Sequence, residues 1–447
     1  MKDLKLSAAQ IIALGFAGAI LLGGILLWLP VCAAPGEQTD FIDALFTSAT
    51  SVCVTGLVTV STASHWSALG KGAILLLIQL GGLGVIAVFM FIVMLAGGHI
   101  GLKGRRLIQQ TYNLDTLSGM AGVVRKIMAC TLGAEALGAV CYAYAFVPEF
   151  GWAKGLWQSV FTSVSAFCNA GIDVLGDDSL APYVGNPLIN VTTIALIVSG
   201  GLGFLVWWDL YRVAKNRLGW RKLKLHSKLA IASTAALILG GAVLFFLFEY
   251  GNPDTLGKLP FGSKCLAALF QSVTPRTAGF FTVDQSGFRD ASAALTMILM
   301  FTGGSPMGTA GGIKTTTVAL LILTVAAYLK GKSDTEAFHR RVREQDIRTA
   351  IAVAALGVAA LLASGTALSL TMDAPFIDVL FETMSALGTA GLSRGFTGDL
   401  TLTGKIIIIL NMYLGRIGPI TLATAIVMRA KNAGRNVHLA EENILIG

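Results

Sequence analysis

The chain has 447 residues, of which 54% are apolar and only 13% charged, with a mean hydropathy of +0.72 and a formal net charge of +8. A soluble globular domain carries roughly 25% charged residues, so this chain lacks the polar surface to face water all round and must face lipid. Soluble enzymes, secreted disulfide scaffolds and disordered chains are excluded, and nucleic-acid binding is not implied, because the Lys and Arg residues sit in short loops between apolar runs.

A helix needs about 20 apolar residues to cross the hydrocarbon core. Eight runs meet that need: 6–29, 72–96, 123–147, 189–211, 227–249, 291–328, 349–371 and 403–428. The first is too long for the apolar region of a cleavable signal, and no small-x-small site clearly follows it, so it reads as a membrane helix. Between the members of each successive pair lies a shorter, half-apolar segment: 41–51, 154–167, 262–273 and 375–386. Such segments cannot span and suit re-entrant helices that dip in and return.

The short segments repeat. They read FTSATSVCVTGL (46–57), FTSVSAFCNAGI (161–172), FQSVTPRTAGF (270–280) and FETMSALGTAGL (381–392). Each begins with Phe, carries a hydroxyl four residues on (Thr50, Ser165, Thr274, Ser385) and ends at Gly56, Gly171, Gly279 or Gly391, at periods of 115, 108 and 112 residues. A second glycine cluster follows each: GGLG at 81–84 and 200–203, GGSPMG at 303–308, GRIG at 415–418. The pattern predicts an all-α membrane protein of four tandem units, each a helix, a pore helix, a Gly turn and a Gly-kinked helix, divided as 1–98, 99–215, 216–335 and 336–447. Most Lys and Arg residues then fall on one side, which the positive-inside rule makes cytoplasmic, with both termini inside. On the other side acids outnumber bases, and a negative mouth concentrates cations.

A cation crossing a bilayer must exchange its water shell for something equally polar. Backbone carbonyls from several segments aimed at one axis can supply it, and irregular backbone at membrane depth is tolerated where it lines a cavity. The pore helices would add their partly negative C-terminal ends. Any one of these glycines alone reads as helix packing; four in register favour a pore.

The four degenerate motifs, the interrupted third inner helix, the arginine in the last helix and the terminal EENILIG (441–447) resemble the Trk/Ktr/HKT superfamily of potassium transporters, and within it the KtrB-type channel subunit, over essentially the whole chain. The resemblance implies four membrane–pore–membrane units about a pseudo-fourfold axis. It also implies a homodimer with one pore per subunit, seated on a cytoplasmic nucleotide-binding ring of the KtrA type. The selectivity filter would be Val54-Thr55-Gly56, Asn169-Ala170-Gly171, Thr277-Ala278-Gly279 and Thr389-Ala390-Gly391. K+ would be the permeant ion, with Na+ as a second candidate and no organic cofactor. In this superfamily glycine at all four positions accompanies K+ preference. Only one glycine per repeat is kept, where potassium channels have TVGYG, so fewer carbonyl sites and looser selectivity are expected.

The run 291–328 holds 38 residues, roughly 57 Å as a straight helix against a hydrocarbon core near 30 Å, so it must break. The break is legible at Gly303, Gly304, Ser305, Pro306, Gly308, Thr309, Ala310, Gly311 and Gly312, followed by Lys314. The resemblance makes this a flexible gating loop and makes Arg416 a gating arginine; a rigid kink and a structural ion pair are the plain alternatives. Arg416 reads as lying near the middle of the last span, where a guanidinium needs a polar cavity or a partner. Lys314 either joins the barrier or snorkels inward.

The six cysteines read as buried small residues without disulfide or metal roles. Glu135 and Glu249 read as helix-end or polar-packing groups, with a relay as the alternative; Asp173 adds field at the mouth or caps a loop. The resemblance implies that the basic loops 212–228 and 329–348 dock the ring and that the tail 437–447 tucks into the dimer interface; ordinary topogenic charge and a disordered terminus are the plain alternatives. A secondary carrier, such as a Na+-coupled K+ symporter, is the competing function, and the shared orientation of all four units disfavours its inverted repeats. No nucleophile–base set or metal spacing supports an enzyme.

Overall fold

The computed structural model describes residues 7–95, 104, 120–418 and 421. The tail 437–447, the basic positions 2, 5, 103, 105, 106, 429, 431 and 435, and His99 and His438 lie outside the described residues.

Four long helices open the four units: α1 (Ala8–Trp28), α5 (Met120–Phe150), α9 (Leu225–Glu249) and α13 (Glu344–Ser369). Each is long and apolar enough to cross a bilayer in one piece. Four short helices follow them: α2 (Phe41–Cys53), α6 (Trp152–Cys168), α10 (Phe261–Val273) and α14 (Phe376–Gly388). These are the predicted pore helices, within two residues at each end. Their C-terminal halves are buried although about a third of their residues are polar, so those halves lie inside protein rather than against lipid.

Three of the four second helices start on side-chain caps. Ser67 accepts from Gly70 N at 3.2 Å before α3 (Ala68–Leu83). Asn186 accepts from Leu188 N at 3.0 Å before α7 (Pro187–Leu202). Thr401 accepts from Gly404 N at 3.1 Å before α15 (Leu402–Ile417). Each cap satisfies an amide that has no partner within the helix.

Their far ends depart from the expected kink. α3 breaks at Gly84 and resumes as α4 (Val85–Leu95) at 103° to it; α7 breaks at Gly203 and resumes as α8 (Phe204–Lys215) at 97°. Gly84 and Gly203 have φ of +87° and +90°, outside the helical well, so the chain turns a corner rather than bending. In the third unit α11 (Asp290–Phe301) and α12 (Thr315–Leu329) are separated by the non-helical segment 302–314, close to the predicted break. A short hairpin, β1 (Glu336–Ala337) paired with β2 (Arg340–Arg341), lies within the basic loop before α13.

The four units close on themselves. Phe161, Cys168 and Ala170 of the second pack with Leu27 and Ile74 of the first. Phe270 and Ala278 of the third pack with Leu196 and Phe167 of the second. Met300 and Ala293 of the third pack with Phe381 and Ala390 of the fourth, and Leu368 and Met412 of the fourth pack with Phe16 and Phe46 of the first. Lipid is as apolar as these side chains, so close packing and interhelical hydrogen bonds must supply the association. A repeated device does so. Ser48 Oγ donates to Ile20 O at 2.7 Å, Ser163 Oγ to Glu135 O at 2.6 Å, and Ser272 Oγ to Ile238 O at 2.7 Å. One turn along each long helix stands Gly23, Gly138 or Gly241, where a Cβ would strike that serine hydroxyl. In the fourth unit Thr383 donates to its own helix instead.

All six cysteines are free; Cys32, Cys53 and Cys168 are buried as expected. Cys130 and Cys265 are not: both lie exposed on helix faces, where contact with lipid exacts no penalty from an apolar thiol.

Candidate functional site

Each pore helix ends in a turn that reverses the backbone. Val54, Asn169 and Thr389 terminate α2, α6 and α14 in the left-handed region at φ +49°, +59° and +50°; after α10, Thr277 takes φ +68°. Three of these four are β-branched, a conformation costing about 1–3 kcal/mol each, which the surrounding packing must hold in place. The following amides fold back alike: Thr55 N–H donates to Thr50 O, Ala170 to Ser165 O and Ala390 to Ser385 O, each at 2.8 Å, and Ala278 to Thr274 O at 2.9 Å. The four hydroxyl residues seen in the repeats therefore serve through their carbonyls. Their side chains diverge. Thr50 Oγ1 accepts from Gly56 N at 2.9 Å, Thr274 Oγ1 donates to Phe280 O, and the Ser165 and Ser385 hydroxyls have no hydrogen-bond partner among the described residues.

Beyond the turns the four strands meet. A Cβ built on Gly56 would stand 2.7 Å from Ala170 O and 3.1 Å from the Gly391 Cα; one on Gly279 would stand 2.8 Å from the Gly171 Cα. A Cβ on Gly171 would strike Ala278 O, and one on Gly391 would strike Thr55 O. The carbonyls of Thr55, Ala170, Ala278 and Ala390 thus face neighbouring glycines around a common centre, in chain order. All four glycines have positive φ, from +64° to +106°. A side chain there would be both strained and obstructed.

The glycine ring forms the floor of an open cavity of about 640 Å3. Asp173, Asp177, Asp178 and Asp284 line it, and no Lys or Arg does among the described residues. Asp173 accepts from Leu175 N at 3.2 Å, so it holds its loop as well as facing the cavity. Burial pushes its carboxyl up to about 6, and the neighbouring Asp177 adds to the shift.

On the opposite side of the ring lies the segment 302–314. It is stitched in rather than loose. Ser305 N donates to Gly201 O at 2.8 Å, Thr309 N to Gly200 O at 3.1 Å, and Phe204 N to Met307 O at 3.1 Å, so it caps the broken corner of the second unit. Thr309 Oγ1 reaches Asn169 Oδ1 at 2.8 Å and Phe167 O at 3.0 Å. Gly303 N donates to Ile313 O at 2.9 Å and Ser305 Oγ pairs with Thr315 Oγ1 at 2.8 Å, closing the loop's base. Gly304, Pro306, Gly308, Gly311 and Gly312 lie between, with Gly311 against the Thr389 side chain. Lys314 Nζ donates to Ala310 O at 2.8 Å, so it binds the loop rather than snorkelling away.

Arg416 lies in the last turn of α15, with Gly418 beyond it at φ +89°, not in the middle of a continuous helix. Its guanidinium donates to Thr309 O, to Gly81 O and, at 3.1 Å, to Gly82 O. Those last two carbonyls belong to the C-terminal turn of α3, a partial negative pole suited to a cation.

The acids set apart in the sequence take packing roles. Glu249 accepts from Asn252 Nδ2 and Thr255 Oγ1, both at 2.6 Å, and from Arg289 N at 3.1 Å. Glu135 accepts from Gln79 Nε2 at 3.1 Å across the first and second units. Sequence reasoning missed the serine–glycine notches, whose signal was the Phe-x-Ser shared by three repeats. Nor does the sequence show that Arg276, which follows the third pore helix, is buried.

Residues 21–435 match the family model described as TrkH, cation transport protein. The chain is 42% identical to the potassium/sodium uptake protein NtpJ of Enterococcus hirae, covering 99% of this chain and 98% of the relative. It is 39% identical to the Ktr system potassium uptake protein B of Bacillus subtilis (100% and 98% covered) and 37% identical to that of Vibrio alginolyticus (98% and 94% covered). The solved potassium transporter TrkH of Vibrio parahaemolyticus shares the fold, with a TM-score of 0.73 at 20% identity over 94% of this chain and 85% of that one.

Proposed function

The chain belongs to the TrkH family of cation transport proteins, within it to the KtrB-type members, and from that premise we propose that it takes up K+ across the plasma membrane through a channel-like pore. The observation that carries this reading is the convergence of the Thr55, Ala170, Ala278 and Ala390 carbonyls on one centre beneath an aspartate-lined cavity. Four such oxygens replace part of a monovalent cation's hydration shell, and the aspartates raise its local concentration. The filter is then the twelve residues 54–56, 169–171, 277–279 and 389–391. Segment 303–312, with Lys314 and Arg416, is the barrier.

The same reading has a homodimer on a cytoplasmic nucleotide-binding ring docked at 212–228 and 329–348, with both termini inside. A relative named as part of a Ktr system agrees with a further subunit. A second reading, Na+-coupled K+ symport, is favoured by the relative named for potassium and sodium uptake. Uptake of ⁸⁶Rb+ and ²²Na+ into liposomes, by the wild type and by Gly56→Ser, tests both. A pore gives Rb+ uptake well above Na+ uptake in the wild type, with weak saturation, and loses that preference in the variant. Equal uptake of both ions, unaltered by the serine, removes the filter. Rb+ uptake that requires Na+ favours the symporter.

A further inference from the structure

Arg276 is a charge the pathway above does not use. It stands one position before the third converging strand, where the other repeats carry Cys53, Cys168 and Gly388. It is 6% exposed. Nη2 donates to a neutral acceptor, Thr234 Oγ1 on α9, at 3.3 Å, and Nε has no hydrogen-bond partner among the described residues. Among the described residues no carboxylate pairs with it.

An unpaired buried guanidinium is costly, and replacing a buried charge by a neutral group of similar volume is often neutral or stabilising. Among the described residues, therefore, no pairing makes Arg276 a stabilising group. The Arg276 N–H donates to Val273 O at 3.1 Å, which sets the residue at the C-terminal end of α10. The residues at this place in the other three repeats are uncharged, whereas the chain leaving α10 carries an arginine, opposite in sign to the helix end it follows.

We propose that Arg276 is an affinity-setting residue of the cation pathway: its charge opposes the pull of the third pore helix and keeps the ring's affinity low enough for rapid release. The inference rests on the filter reading. Conduction needs binding strong enough to admit an ion and weak enough to release it, and the pore-helix ends together with four aspartates favour retention. A buried unit charge near a bound ion, at an effective dielectric of about 20, changes its affinity by about ten-fold.

The test compares Arg276→Gln, Arg276→Lys and Thr234→Asp in the full chain, reading half-saturating ⁸⁶Rb+ in liposomes and melting temperature in detergent. Thr234→Asp leaves the arginine in place and sets a carboxylate against it. Arg276→Gln and Thr234→Asp lower the half-saturating concentration about ten-fold, Arg276→Lys keeps the wild-type value, and Arg276→Gln melts no lower than wild type. An unchanged half-saturating concentration in either neutralised protein, or lysine behaving as glutamine does, overturns the proposal. If Arg276→Gln does not fold, Thr234→Asp decides alone. Gly56→Ser run alongside separates the two ideas: a wild type that does not prefer Rb+ to Na+ removes the filter reading itself, whereas a selective wild type with unmoved variants removes only the role of Arg276.

Discussion

Arg416, in the fourth unit, donates from Nη1 to the backbone oxygen of Thr309 in the interrupted helix of the third. From Nη2 it reaches Gly81 and Gly82 of the first. One planar fork therefore ties three units together on the side of the ring away from the aspartates. Lysine carries the charge but no fork. Under the gate reading, Arg416→Gln removes both the tie and the repulsion of a cation, and ⁸⁶Rb+ uptake rises several-fold. Arg416→Lys keeps the repulsion and gives an intermediate rise. Uptake that falls or stays level in Arg416→Gln shows that the barrier lies elsewhere.

Thr309 offers a finer probe of the same loop. Its hydroxyl holds Asn169 Oδ1, at the turn into the second strand, as well as Phe167 O. Thr309→Val keeps the shape and leaves that buried amide oxygen without its donor, a loss of about 1–3 kcal/mol. Deleting 305–312 removes the loop altogether. Flux rises in both, more in the deletion, and the valine variant also shifts the Rb+/Na+ ratio because Asn169 loses its anchor. A deletion with wild-type flux ends the assignment of the loop as a gate.

The pore helices were legible because their signal is local. A half-apolar segment too short to span, ending in glycine, recurs at near-constant period, and α2, α6, α10 and α14 fall where it falls. The corners at Gly84 and Gly203 were not. Val85–Leu95 is apolar whichever way it runs, and hydropathy carries no direction, so GGLG reads equally as a kink or a break. The loop at 302–314 was legible as a break by length alone, but its attachment to Gly200 and Gly201 depends on a contact about a hundred residues away in sequence. The burial of Arg276 was not legible for a related reason. Only the packing of α10 on α9 brings its side chain to Thr234.

The serine–glycine notches make a prediction about stability rather than flux. At Gly138 a Cβ would meet Leu196 Cδ1 at 2.6 Å and strike Ser163 Oγ. Gly138→Val forces α5 and α6 apart, a change of about 1–3 kcal/mol by overpacking. Ser163→Ala removes only the hydrogen bond to Glu135 O, worth about 0.6 kcal/mol in a membrane. Melting temperatures in detergent fall clearly for the valine and barely for the alanine. The reverse order means that the hydrogen bond, not the close approach, holds the pair.

Asp173 makes the cavity sensitive to acid. Burial and the nearby Asp177 raise its carboxyl to about 6 from an ordinary value of 3.8, so it is ionised at neutral pH and protonates as pH falls through about 6. One of the four negative charges above the ring is then lost, and uptake at sub-saturating Rb+ falls about two- to three-fold between pH 7 and 5 as field focusing weakens. The linkage to stability runs the other way. A carboxyl whose folded-state value is raised favours the folded chain most below its unfolded value, and that contribution is lost as pH rises through about 6. Asp173→Asn therefore flattens the acid limb of the uptake profile and leaves the protein at least as stable at pH 7. Thermal melts and ⁸⁶Rb+ uptake across that range test both signs together. An acid limb that survives unchanged in Asp173→Asn assigns the proton to another group.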